Sequence, residues 1–137
     1  MKEKILNVFA TLGFKLEKIG DDGYIFYYEG RGIFYNTYNN DDTFFHFIIS
    51  IFDAKDEDEI NFLNNIEVYK IMNKINTNLK FIKAFTTDDN LCLSYEREIV
   101  GDENFEELIP KMILGLNNAI NYVNDILDDI ENNKGED

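Results

Sequence analysis

The sequence predicts an α+β domain: a single antiparallel sheet of about five strands with helices packed on it, in the order α-β-β-β-(β)-α-β-β-α. Three observations predict this class. Apolar residues recur at spacings of three and four in three separated stretches, the mark of amphipathic helices. Between those stretches lie short aromatic runs that alternate in character, as strands do. The runs are joined by turns of Gly, Asp and Asn too short for a parallel crossover, so neighbouring strands are antiparallel. Helices set apart from a meander of strands define the class.

Along the chain, Ile5, Leu6, Val8, Phe9 and Leu12 fall on one helix face, and Gly13 supplies the stop. Residues 14–19 alternate as a short first strand. The sequence Gly20-Asp21-Asp22-Gly23 reverses the chain into strand 24–29, and Gly30-Arg31-Gly32 reverses it again into 33–38. Residues 39–42 turn into the longest strand, 43–52. A second helix is expected over 56–76, with Asp56, Glu57, Asp58 and Glu59 at its positive end. Strands 79–86 and 91–98 follow, joined by an acidic turn. From Phe105 to Ile130 the apolar residues step by three and four, which predicts a long final helix with a kink or break at Pro110. Residues 1–131 make one domain, and 132–137 a polar, frayed tail.

Composition narrows the function. At 137 residues the chain removes roughly two thirds of its unfolded surface from water and needs no staples. With 45% hydrophobic and 15% aromatic residues it is not a disordered segment. A formal charge of −14 argues against nucleic acid and against an anionic membrane, both of which need Lys and Arg. The longest apolar run is far too short for a span. One cysteine, Cys92, leaves no internal disulfide and fits a reducing compartment, so a cytoplasmic protein is expected. The abundance of Asn, Ile and Lys is that of AT-rich coding and suggests a bacterium.

Grouped chemistry is hard to find. His46, the one histidine, stands mid-strand between Phe45 and Phe47, where a packed strand residue is expected rather than a base or ligand. Cys92 lies between Leu91 and Leu93 with no adjacent base to activate it. The acids at 53–59 lack the alternating ligands and central Gly of a calcium loop, and no Cys or His spacing fits zinc. Gly30-x-Gly32 is too short for a dinucleotide fingerprint. No catalytic, cofactor or metal residues are therefore assigned.

The surplus is aromatic. Tyr24, Phe26 and Tyr28 share one strand face while Ile25 and Tyr27 share the other; Tyr35 opposes Phe34, and Phe45 and Phe47 oppose Phe44, His46 and Ile48. A sheet wet on one side should be apolar on one set only. Both sets here are apolar or amphipathic, so both faces need cover or one is left for a partner.

The stretch Met72-Asn73-Lys74-Ile75-Asn76-Thr77-Asn78-Leu79-Lys80-Phe81-Ile82-Lys83-Ala84-Phe85, with its Asn-x-x-Asn at a helix end and an apolar-Lys-aromatic strand, resembles the helix-to-strand junction of YbjN-type bacterial proteins. Thr87-Asp88-Asp89-Asn90-Leu91-Cys92-Leu93-Ser94-Tyr95-Glu96 continues the similarity, as does the long final helix. The resemblance implies the fold of the class I type III secretion chaperones, often a homodimer, with no established enzymatic activity. The Tyr- and Phe-heavy strands depart from that pattern. Asn73 and Asn76 are expected to cap the helix.

The expected function is a non-catalytic protein-binding domain, chaperone-like or an adaptor and regulator, acting as a homodimer without cofactors. Its contacts are assigned to Tyr24, Phe26, Tyr28, Tyr35, Phe45 and Phe47. One alternative is a small-molecule binder or enzyme with a pocket between sheet and helices, holding His46 or paired acids. Another is an acidic accessory protein that neutralises a basic partner.

Overall fold

The computed structural model describes residues 2–21, 23–37, 44–51, 65–87 and 90–135. Expectations for the turn at 39–42, the acids at 53–59, the first half of the second helix and the tip of the last hairpin lie outside these residues. Helix α1 spans Lys2–Thr11 and buries Ile5, Val8 and Phe9. It ends as expected at Gly13, which takes φ 86°. Gly13 N–H donates to Ala10 O at 3.1 Å and Phe14 N–H to Phe9 O at 3.0 Å, while the rings of Phe14 and Phe9 meet edge-on. This is a Schellman stop with its hydrophobic contact, and it turns the chain sharply into the sheet.

The sheet has six strands rather than about five. They are β1 (Glu17–Ile19), β2 (Gly23–Tyr28), β3 (Arg31–Asn36), β4 (Phe44–Ser50), β5 (Ile82–Thr87) and β6 (Asn90–Glu98). The spatial order is β1-β2-β3-β4-β6-β5, antiparallel throughout. The short first strand thus exists, as an exposed edge.

Between β4 and β5 runs α2 (Asn65–Asn78), which buries Ile71 and Ile75. The strand after it begins at Ile82, three residues later than the alternation predicts. Phe81 takes φ 65°, an unusual conformation for a bulky residue. That break in the alternation stacks its ring on Tyr95 at 5.7 Å instead of aligning it with Lys83 and Phe85.

Helix α3 is one continuous element, Phe105–Gly135, about 46 Å long at the standard rise. Pro110 does not divide it. Pro110 and Glu106, whose carbonyl loses its donor, are both exposed, so water can replace the missing bond. The helix also runs through most of the expected tail. Asn104 caps its start, accepting from Glu106 N–H at 3.1 Å, and the Glu103 carboxylate accepts from Val100 and Gly101 N–H. Those backbone donors, Val100 foremost, hold the Glu103 carboxyl below the usual carboxylate range.

All three described helices lie on one side of the sheet. Phe9 sets the position of α1, with its ring 5.1 Å from Phe26, 5.7 Å from Tyr35 and 6.0 Å from Phe47, on three successive strands. Phe105 of α3 stacks on Phe45 at 6.0 Å, and Lys4 of α1 sits over the Phe105 ring. Arg31 of β3 donates to Asn117 of α3 at 3.0 Å. At the far edge Asn76 lies inside the last turn of α2, which runs on to Asn78, so it does not cap the helix as expected. Its amide donates to Ala84 O at 3.2 Å and accepts from Ala84 N–H at 2.7 Å, pairing with the outward backbone of β5 as another strand would. The edge is closed against further pairing at that point. Asn73 is exposed, and its carbonyl accepts from the Thr77 hydroxyl.

Two outcomes follow. Phe9→Ala removes a fully buried ring with four aromatic neighbours and should cost about 3–5 kcal/mol in urea unfolding. A cost below about 1 kcal/mol would mean that α1 is not anchored there. Asn76→Ala should cost about 1–3 kcal/mol, because it unpairs two backbone groups together. Hydrogen exchange at Ala84 N–H should quicken selectively, and unchanged exchange there would refute the clamp.

Candidate functional site

The strand register separates the residues of the two sheet faces. The pairs Phe26↔Ile33, Tyr35↔Phe47 and Ile49↔Leu93 belong to the helix-covered face. Ile25↔Phe34, Phe34↔Ile48 and His46↔Glu96 belong to the other. This corrects the choice of contact residues. Phe26, Tyr35, Phe45 and Phe47 are buried core beneath α1 and α3, and Tyr24 and Tyr28 pack half-buried against them. Their size and apolarity are used inside the molecule, so in this conformation they offer no docking surface.

The opposite set forms the open face. Tyr27 is 56% exposed, Phe44 50% and Ile19 45%. Ile25, Phe34 and Ile48 are half-buried among them, and Phe85 is half-buried at the β5 edge. Two glycines explain how those side chains lie. A Cβ on Gly23 would strike Tyr35 O and the Phe34 ring, and a Cβ on Gly32 would come within 3.1 Å of Ile25 and 3.4 Å of Tyr27. Phe34, Ile25 and Tyr27 therefore lie flat over glycines and cover strand backbone.

Across β3, β4 and β6 the same face carries a polar row. Asn36 Nδ2 and His46 Nδ1 are 3.2 Å apart, and His46 Nε2 lies 3.2 Å from Glu96 Oε1. With the Asn36 amide donating, Nδ1 is the acceptor and Nε2 carries the proton toward Glu96. That second contact has an ion pair's distance but not a hydrogen bond's alignment, so Nε2 is left without one. Ser50 Oγ and Ser94 Oγ, on adjacent rows, are likewise buried and unpartnered. Three of the four such described atoms thus fall on this face. Burial pushes the His46 pKa below its ordinary 6.5; Glu96 opposes that shift and Lys83 adds to it. Cys92, also on this face, is buried and touches Thr87 Oγ1 at 3.5 Å.

The open face does not belong to a pocket between sheet and helices. His46 stands on the side away from the helices, which removes it from the expected enzyme-like pocket. A cavity that does lie between sheet and α3, against Arg31, Ile49 and Asn117, measures about 10 Å³, room for one water. Among the described residues no group of three or more His, Cys, Asp or Glu could hold a metal, and no helix is long and apolar enough to cross a membrane.

The architecture has relatives among solved structures. An uncharacterized protein from Methanothermobacter thermautotrophicus matches with a TM-score of 0.65 at 14% identity, over 93% of this chain and 96% of that one. YbjN from E. coli, a candidate transcription regulator, matches with a TM-score of 0.57 at 13% identity, over 97% of this chain and 93% of that one. The fold is YbjN-like. The sequence matches no family model and no curated protein. The YbjN-like layout agrees with the junction read in the sequence at 72–85, and it extends over nearly the whole chain.

The open face was legible in part. Asn36, His46, Ser50, Lys83, Ser94 and Glu96 all fall on the second strand set, and polar residues at that period mark the side away from the core. Counting aromatics instead selects the core.

The His46 environment has a testable sign. As pH falls through 6.5 the unfolded chain takes up a proton that the folded chain does not, so stability drops in that window. Above 6.5 the contribution is constant. Between about pH 7 and pH 5, wild type should therefore lose more stability than His46→Gln, read as the change in urea midpoint. Parallel losses would mean that the imidazole titrates normally.

Proposed function

We propose that the chain is a non-catalytic protein-binding domain, chaperone-like or a regulatory adaptor, that works in the cytoplasm and engages its partner through the open sheet face. The observation that carries this reading is the division of the sheet. Its three described helices occupy one side, and apolar side chains stand half-exposed on the other. Tyr and Phe suit a binding surface because they present large, stiff area at small entropic cost, and Tyr keeps a polar tip. His46 sits between Asn36 and the exposed Glu96 on the sheet face away from the described helices, an arrangement that suits binding.

Homodimer formation is part of the proposal. Exposed Ile66 and Tyr69, one turn apart on α2, give an uncharged strip through which two strongly acidic chains could meet. Light scattering should report a dimer that Tyr69→Glu converts to a monomer; a wild-type monomer at physiological concentration would defeat this part alone.

The binding reading is tested with Tyr27→Ser combined with Phe44→Ser, both exposed enough to spare the core. A partner identified by crosslinking in the source cell should bind the double variant at least about tenfold more weakly at unchanged thermal stability. Equal affinity would overturn the assignment of the face.

A further inference from the structure

The open face has its own charge pattern. Among the described residues, register places Glu17, Glu96 and Glu98 on it against a single basic side chain, Lys83. His46 adds no positive charge at neutral pH, because burial favours its neutral form. Glu96 and Glu98 stand at one end of the strands, beside Phe44. At the other end the pairs Tyr27↔Gly32, Ser50↔Cys92 and Phe85↔Cys92 are uncharged. The face is thus apolar with one acidic end, on a chain whose formal charge is −14.

We propose that the occupant of this face is a basic amphipathic segment of another protein, with Lys or Arg over Glu96 and Glu98 and apolar residues over Phe34, Ile48 and Tyr27. This rests on the binding reading above and names its partner's chemistry. A second copy is disfavoured on this face because it would set the same carboxylates, Glu96 and Glu98, against one another. A cation near Glu96 also supplies what the row lacks. It gives the carboxylate a permanent charge partner in place of a neutral imidazole, and guanidinium donors match a carboxylate in pairs. The field of the whole chain would speed the encounter, more so at low salt.

The test uses three labelled peptides of equal length and equal apolar content, with Lys, Gln or Glu at the intervening positions, followed by fluorescence anisotropy on the full chain. The Lys peptide should bind at least about tenfold more tightly than the Gln peptide. Glu96→Gln with Glu98→Gln should abolish that advantage, and Asp125→Asn with Asp128→Asn, exposed on α3, should leave it intact. Thermal melts of both pairs establish that each is folded. Equal loss from the two pairs means a diffuse field and overturns the proposal. Equal binding of the Lys and Gln peptides, sensitive to Tyr27→Ser, overturns the basic partner while keeping the binding face. Binding of any peptide indifferent to Tyr27→Ser fails both readings. A dimer that dissociates on Tyr27→Ser with Phe44→Ser puts a second copy on the face and also overturns the proposal.

Discussion

The placement of the Phe9 ring constrains the rest of the molecule. It touches aromatic side chains from β2, β3 and β4 at once, so α1 has to lie across the middle of the sheet. Six strands at about 4.8 Å spacing span about 24 Å. Three helices packed side by side at about 8–10 Å cover that width and little more. α1 takes the strands near β3, α2 takes β5, and α3 lies between them along β6, its long stripe facing Leu93 and Tyr95. Once these helices fill one side, none of the three remains for the other. The open face is the remainder of that geometry.

What was legible in the sequence was local. The α1 stop at Gly13 follows from one residue's freedom at positive φ and from Phe14 returning to Phe9. The apolar stripe of α3 from Phe105 to Leu127 is buried as its spacing predicts. The choice between sheet faces was not local, because each strand offers aromatics on both sides. The helices settle it. The set with Phe26, Phe45 and Phe47 matches the aromatic side of α1, whereas the other set is interrupted by His46, Ser94 and Glu96, polar residues that do not match an apolar helix stripe.

Two departures from expectation come from contacts distant in sequence. Asn76 reads as a helix cap, yet its amide serves the β5 backbone eight residues on, because α2 packs on β5 and brings the amide opposite Ala84. Phe81 reads as a strand residue, yet it adopts a left-handed conformation to reach Tyr95, next to which Gly115 leaves space on α3. In each case side-chain type and spacing are compatible with the simpler role, and only the position of a third element selects the other. Pro110 is the reverse case: a residue with a strong local preference sits where its cost is small, on the wet side of a helix held by many apolar contacts elsewhere.

An apolar face left open must still be kept from indiscriminate sticking, and the same residues address this. Gly23 and Gly32 let Phe34, Ile25 and Tyr27 lie down, so the face presents ring surfaces close to the backbone rather than protruding edges. The edge at β5 is blocked at Ala84 by Asn76, and the edge at β1 is only three residues long and carries Lys18. The acidic end at Glu96 and Glu98 then keeps one open face from another, while the apolar centre acts only at contact. Repulsion between two such faces and attraction to a cationic segment are therefore two consequences of one charge distribution. A face built this way gains selectivity from the field before any side chain touches its partner.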